Sequence, residues 1–526
     1  MSTLGTIFLI YYIFRGSTDV VASDYIRIIN YYLEDVSDLH YLLSWEGIAR
    51  IPFTFLMRFL NVKIFSYSVF FDKIIGTFGL FLFNMVILSF VLKYLHSKPI
   101  RMIASFLITY ISFSLMAWEM ILNGTGYAHF LTVGLMALTF KMFANIEGMS
   151  INANVKLKNH LQLSLLIIIT SLCFAGSYSV SYLCTIIFFS IVSIIVRLHK
   201  KENRKEKFLS QIVYIVISIV CLSLYFKSNN TGEALIPVGF KDISLIELLK
   251  TQPLFPIKFM LKSLASSIIG VETFDYALKF GTISEKFIFL IGFIYLIIII
   301  FVIVLLIIKI INVVRIVYCK NDVDGANVTK QNESEVLINE ELSLFIFISM
   351  FIVAGIANYL LIFLARYKFV VDSYGMTSRY SLQYMFLTIG ILMLLLKLMD
   401  ELLAKHLQND VSIVQMQNKS ETKKKVFLLA FNNKIKTFLM VSSIMSLSFI
   451  TIGHLTTNTD EIFKADYRKI IYSVVEDKAK NYKNLTDQDL EDTFEYHRGP
   501  EQIRKAFEIL ENQKLNIFRE SQKNNN

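Results

Sequence analysis

Residues 287–308 read FIFLIGFIYLIIIIFVIVLLII, 22 positions without a charged side chain. As a helix this run is about 33 Å long, the thickness of a bilayer's hydrocarbon core. A helix apolar on every side must lie within protein or lipid. Nine more apolar runs fall near 70–92, 102–118, 127–144, 161–175, 178–196, 208–226, 343–365, 381–399 and 437–455. The composition agrees: 55% hydrophobic, 14% aromatic and only 18% charged residues, with a mean hydropathy of +0.55. Soluble domains carry about 25% charged residues. A soluble enzyme, a disordered chain and a disulfide scaffold are thereby excluded. The fold class expected is an all-α polytopic membrane protein.

The opening run, MSTLGTIFLIYYIF, is 14 residues long and covers only about 21 Å. It lacks the basic start and small-residue cleavage site of a signal peptide, so it reads as a first span continuing past Arg15. About eleven transmembrane helices result. Their orientation follows from the loops. WEMILNGTGYAH and AGSYS contain no Lys or Arg, whereas Lys93, Lys98, Arg101, Lys141, Lys156, Lys158, RLHKKENRKEK and ETKKK lie in the alternate connections. The positive-inside rule makes those basic connections cytoplasmic. The expectation is a multi-pass protein of the cell membrane with a cytoplasmic N-terminus. Segments 15–68, 227–286, 366–380 and 456–526, the last including the C-terminus, are then extracytoplasmic. The net charge of +10 belongs largely to the cytoplasmic loops, so no nucleic-acid partner is implied. Three of the four cysteines (173, 184, 221 and 319) lie in apolar runs, and the eight histidines never reach ligand spacing. No zinc site is expected.

The first outer loop, 15–68, is too polar to span and too aromatic for a linker. From Asp24 to Asp38 it has two faces at 100° per residue. Tyr25, Ile28, Ile29, Tyr32, Leu33 and Val36 share one; Asp24, Arg27, Asn30, Tyr31, Glu34, Asp35 and Asp38 share the other. Such a helix would lie in the membrane interface with its aromatic face in lipid. A second short helix follows, with Pro52 in its first turn and Phe53, Leu56, Met57 and Leu60 on one face. Trp45 suits the headgroup level. Asp19 and Asp24 stand at the entrance of this platform. A carboxylate beside a cavity of low dielectric can take the proton from a hydroxyl that attacks a sugar's anomeric carbon. The same residues read equally as a helix-capping Asp24 and a solvated Asp19.

Counter-charge occurs in RYKFVVDSYGMTSRY, residues 366–380. Short outward loops are ordinarily poor in cations, yet this one holds Arg366, Lys368 and Arg379. Arginine suits bidentate phosphate recognition and lysine a point contact. Headgroup anchoring at helix ends is the other reading. Glu119, beside Trp118 at the outer end of the third span, can bind a sugar hydroxyl. Segment 227–286 has seven lysines, no arginine and prolines at 237, 253 and 256, which suggests a second interfacial or re-entrant element. The tail reads as two short helices, TDQDLEDTFEYH and GPEQIRKAFEILENQ, the latter with Ile503, Phe507 and Leu510 on one face. About seventy residues cannot bury a large core, so the tail is expected to dock on the outer loops.

The topology, SDYIRIINYYLEDV in the first loop and SRYSLQY entering the tenth span together resemble the GT-C superfamily of integral-membrane glycosyltransferases. The resemblance covers residues 1–455 as architecture. It implies transfer of a hexose from a polyprenyl-phosphate-linked sugar to a glycan or lipid-linked acceptor outside the membrane, by direct inverting displacement. Carried over, Asp24 is the base and Asp19 a supporting or acceptor-binding carboxylate. Arg379, Arg366 and Lys368 would hold the carrier phosphate, and Glu119, Tyr380 and Arg27 would face the sugar and acceptor. Many members place two acidic residues side by side, whereas Asp24 lies between Ser23 and Tyr25. No metal ligand is assigned and the need for a divalent cation stays open. Richness in Lys, Asn and Ile points to an AT-rich bacterial genome and hence a cell-envelope product.

Three other functions fit parts of the sequence. A polysaccharide polymerase or ligase would use arginines in its largest outer loop, which segment 227–286 lacks. A transporter or lipid-linked glycan flippase needs ionisable groups in mid-span; Asp72, Lys73, Lys93 and Lys141 fall near span ends, and no internal repeat is evident. A non-catalytic scaffold makes no demand that the sequence tests.

Overall fold

The computed structural model describes residues 1–38, 52–149, 156–174, 178–199, 205–229, 241, 243–319, 328–416 and 423–519. Trp45 and Pro237 lie outside the described residues. The described secondary structure is helical throughout, without strands. The short leading elements are α1 (Ser2–Gly16), α2 (Asp24–Tyr32) and α3 (Pro52–Phe65). The bundle proper begins with α4 (Val69–Tyr94), α5 (Lys98–Ser112), α6 (Trp118–Asn123) and α7 (Tyr127–Met149). It continues through α8 (Leu157–Ile169), α9 (Ser179–His199) and α10 (Lys205–Asn229). Three short helices follow: α11 (Leu245–Thr251), α12 (Phe255–Ser266) and α13 (Val271–Lys279). Then come the long α14 (Glu285–Cys319), α15 (Val328–Arg366), α16 (Ser381–Met416) and α17 (Lys423–Lys480). The tail adds α18 (Asp487–Phe494) and α19 (Pro500–Asn512).

Nine helices among the described residues are long and apolar enough to cross a membrane: α4, α5 continued through α6, α7, α9, α10, α14, α15, α16 and α17. Two shorter apolar helices, α1 and α8, stand where the sequence places its first and fifth spans. The chain is a polytopic helical membrane protein.

Helix α16 is the axis, with the apolar window of its span wholly buried. Its Phe386 meets Phe351 of α15 at 5.3 Å, Phe83 of α4 at 5.8 Å and Phe140 of α7 at 6.4 Å between ring centroids. This aromatic centre is where the high phenylalanine content is used, in offset and edge-on contacts. Helices α4 and α7 approach closely because both carry glycine at the crossing. A Cβ on Gly79 would lie 2.5 Å from the Leu131 nitrogen, and one on Gly134 would lie 2.9 Å from the Gly79 carbonyl oxygen. Small residues permit such close backbone approach in membranes, where dispersion and not hydrophobicity holds helices together. Gly79→Val should therefore cost about 1–3 kcal/mol through overpacking, read as a lower unfolding midpoint in detergent. An unchanged midpoint would mean that the two helices are not this close.

At the end of the bundle remote from α2, buried carboxylates are committed to structure. Asp400 of α16 accepts from the His96 and Ser97 nitrogens (2.8 and 2.7 Å), satisfying donors ahead of α5. Glu147 of α7 accepts from Arg197 of α9 (2.9 Å) and Gln211 of α10 (2.7 Å).

At the α2 end the structure corrects one expectation. The apolar face of α2 does not lie in lipid. Tyr25, Ile26, Ile29 and Leu33 share one buried cluster with Leu490, Phe494, Ile503, Phe507 and Leu510 of the tail. The periodicity identified Tyr25, Ile29 and Leu33 of this face and missed Ile26; what covers it is protein, because the tail brings a complementary apolar face. The tail is continuous with the last span. Helix α17 runs unbroken for 58 residues, about 87 Å, carrying the span directly into the tail. Segment 227–286 contains three short helices, α11, α12 and α13. Lys262 of α12 donates to Asp372 (2.6 Å), tying that helix to the connection between α15 and α16.

Candidate functional site

Helices α2 and α6, the α15–α16 connection and the upper part of α17 meet at one end of the bundle. Asp24 begins α2, preceded by Ser23 at φ +53°. A non-glycine residue is strained in the left-handed region. The strain is held by the tail: the Ser23 nitrogen donates to the Phe494 carbonyl oxygen at 2.7 Å. Directly after it, Tyr25 is buried and donates to Asp72 Oδ2 (2.7 Å), while Asn61 donates to Asp72 Oδ1 (3.2 Å). Burial, reinforced by the Asp72 charge, pushes the Tyr25 phenol well above its ordinary range, so it stays a donor. Asp24 is thus fixed from both sides. Its own carboxylate is exposed and has no hydrogen bond or ion pair among the described residues. Its charge is a lesser electrostatic neighbour of Arg379 and Tyr496.

Asp19 is different. Oδ1 accepts from the Val69 and Phe70 nitrogens (2.5 and 3.2 Å), and Oδ2 accepts from Ser68 Oγ (2.9 Å) and pairs with Arg519 (3.0 Å). This carboxylate caps α4, where backbone donors and the helix dipole favour a negative charge. Both of its oxygens are engaged, so it anchors the chain leading to Asp24. Beside it, buried Lys73 donates to Ser17 Oγ and the Thr18 carbonyl oxygen (2.9 and 3.0 Å).

The cations are unequal too. Arg379 Nη2 pairs with Glu119 Oε1 at 2.5 Å, and Ser378 Oγ donates to Glu119 Oε2 at 2.8 Å. About half of the Arg379 side chain remains exposed (49%), so its other N–H groups can meet a second anion. Arg366 donates through Nε to the Tyr380 hydroxyl (2.6 Å), and its guanidinium carbon lies 5.7–5.8 Å from the ring centroids of Phe369, Tyr374 and Tyr380. That aromatic setting orients the group by cation–π attraction. The Lys368 carbonyl oxygen accepts from the Lys241 nitrogen (2.9 Å), joining this connection to the second outer segment. Arg27 is half-buried, with an Nε that has no hydrogen-bond partner, on the tail side of Asp24 near Tyr496. The structure therefore gathers Asp24, Glu119, Arg379 and, one residue on, Tyr380 with Arg366. Asp19 is set apart as a cap.

A second layer was not anticipated from sequence. The Arg468 guanidinium stacks 3.2 Å from the centre of the Trp118 ring, next to Glu119. It also donates to buried Glu461 through Nε and Nη2 (3.0 and 2.7 Å), and Tyr12 adds a bond to the same carboxylate (3.3 Å). The signal was available in the seven-residue spacing of Glu461 and Arg468, which puts them on one face of α17. Beside Ser381 a narrow cavity of about 20 Å³, room for about one water molecule, is lined by Leu80, Met116, Ile121 and Met385 together with Ser114, Thr388 and His454. Among the described residues no three His, Cys, Asp or Glu converge as metal ligands. No protein-family model, curated protein or solved structure matches the chain.

Proposed function

We propose that the chain is a membrane glycosyltransferase of GT-C type that moves a hexose from a polyprenyl-phosphate carrier to a glycan or lipid-linked acceptor of the cell envelope. The observation that carries this reading is the uncommitted Asp24 carboxylate, held on a strained backbone within the field of Arg379. Most other carboxylates described above already accept hydrogen bonds or pair with cations.

In this reaction Asp24 takes the proton of the acceptor hydroxyl as its oxygen bonds to the anomeric carbon. The bond from that carbon to the phosphate oxygen breaks, and the electron pair leaves with the carrier phosphate. One negative charge more resides on that phosphate after transfer than before. Arg379, with Arg366 behind it, stabilises the added charge, which is where fixed cations lower a barrier. Glu119 keeps Arg379 oriented and offers an acceptor to a sugar hydroxyl. Lys98, Arg101, Lys156 and Lys158 lie in connections away from Asp24, and by the positive-inside rule this supports reading the Asp24 end as extracytoplasmic.

The test is loss of label from polyprenyl-phosphate-[¹⁴C]hexose in membranes with and without the chain. Faster loss with the chain, matched by label in a glycan or lipid product, is expected. Equal loss would remove this reading. Arg379→Ala should raise the apparent KM for the lipid donor about 10- to 100-fold, the worth of a charge-assisted phosphate contact. An unchanged KM would leave Arg379 as a membrane anchor.

A further inference from the structure

Among the described residues of the first 68, three non-glycine positions have a left-handed backbone: Ser23 at φ +53°, Ser66 at +52° and Tyr67 at +59°. Such positions persist only where their surroundings hold them, and here the tail holds each one. At Ser23 the partner is Phe494, as described above. At the other two, the Ser66 carbonyl oxygen accepts from the Asn516 nitrogen (2.7 Å) and the Tyr67 carbonyl oxygen accepts from Asn516 Nδ2 (2.9 Å). Asn516 is buried and itself left-handed at φ +52°, a conformation that asparagine tolerates. It therefore aims two donors at consecutive carbonyls of one turn.

Two routes join that turn to Asp24. The Tyr67 ring stands edge-on to the Tyr25 ring, with centroids 6.1 Å apart. The Tyr67 nitrogen also donates to the Asn61 carbonyl oxygen (3.1 Å). The Asn61 side chain holds Ser68 through two hydrogen bonds (2.8 and 2.9 Å) and donates to Asp72 Oδ1 (3.2 Å). Asp72 in turn accepts from the Tyr25 hydroxyl, and Tyr25 directly follows Asp24. Neither Asn516 nor the turn enters the proposed reaction.

We propose that Asn516 is a positioning residue for Asp24. It fixes the Ser66–Tyr67 turn, the turn fixes Tyr25, and Tyr25 sets where the neighbouring carboxylate stands. The role of Asp24 as base rests on the reaction proposed above; the coupling of Asn516 to α2 does not. Apolar contact between α2 and the tail is insufficient for this task. Burial of apolar surface is non-directional, and a helix of nine residues is too short to keep its own shape. Hydrogen bonds with defined angles supply the direction.

Amide hydrogen exchange and steady-state kinetics on the full chain in detergent test the coupling. Asn516→Gly tolerates the left-handed backbone, keeps the N–H bond to Ser66 and removes only the Nδ2 bond. Exchange over residues 25–33 should quicken about 5- to 30-fold, with that of α16 unchanged. Where the wild type transfers hexose, kcat should fall about 10- to 100-fold. The donor KM should stay constant, because Arg379 and Glu119 pair with each other and not with the turn. Asn516→Asp gives a second reading. A carboxyl donates to the Tyr67 carbonyl oxygen only while protonated. Protection over 25–33 should therefore equal that of the wild type in acid and fall below it at the same pH as the carboxyl ionises. That recovery in acid also shows that the variant folds. Faster exchange confined to the turn and the tail would overturn the proposal, as would pH-independent protection in Asn516→Asp or an unchanged kcat in Asn516→Gly. An inactive wild type would remove the reaction and leave exchange over 25–33 to decide the coupling.

Discussion

Asp24→Asn is expected to lower hexose transfer by about 100- to 10,000-fold, the usual contribution of a positioned general base. The amide keeps the shape of the side chain and loses only its capacity to take a proton. Asp24 is exposed and makes no bond that holds the fold, so stability should change by less than about 0.5 kcal/mol. Normal insertion and a normal unfolding midpoint, alongside lost turnover, would separate chemistry from folding. Asp19→Asn gives the contrast. It weakens the cap of α4 and the Arg519 pair, which should cost about 1–2 kcal/mol of stability with a smaller effect on rate. Full activity in Asp24→Asn would exclude that carboxylate as the base.

These two aspartates show how far the sequence could be read. Both stand between the first and second apolar runs, and residue type and position put them in one category. Their difference depends on partners some fifty residues on, since Val69 and Ser68 use up Asp19 while nothing described uses Asp24. The long spans were legible because an uncharged run as thick as a bilayer leaves few alternatives. The short α1 and α8 were legible as apolar runs, but not as helices of only 15 and 13 residues. The helical faces of α2 and α19 were visible in their spacing. Periodicity reports that a face is apolar and is silent on whether lipid or protein covers it. The union of α2 with the tail joins residues 480 positions apart, as in the bond from Gln513 to the Leu33 carbonyl oxygen. The same limit applies to Arg379 and Glu119, which are 260 positions apart. Each charge was noticed from its own surroundings, and their pairing is a property of the packed bundle.

The second large effect concerns the layer beneath the site. Arg468→Met should destabilise the chain by about 3–5 kcal/mol, since it leaves the buried Glu461 carboxylate without its cation. Tyr12 alone, at 3.3 Å, cannot replace the guanidinium bonds from Nε and Nη2. Trp118 would also lose the cation stacked on its ring, freeing the short helix that presents Glu119 to Arg379. The expected readings are a much lower unfolding midpoint in detergent and a raised donor KM in whatever folded protein remains. The double variant Arg468→Met with Glu461→Leu should recover most of the stability, because removing both charges abolishes the desolvation cost that the single change exposes. It should not recover the KM, because Trp118 still lacks its partner. If the double variant is as unstable as the single one, the pair acts through packing of the arginine stem. If neither variant moves the KM, the Trp118 layer supports α17 alone and the site end holds its geometry without it.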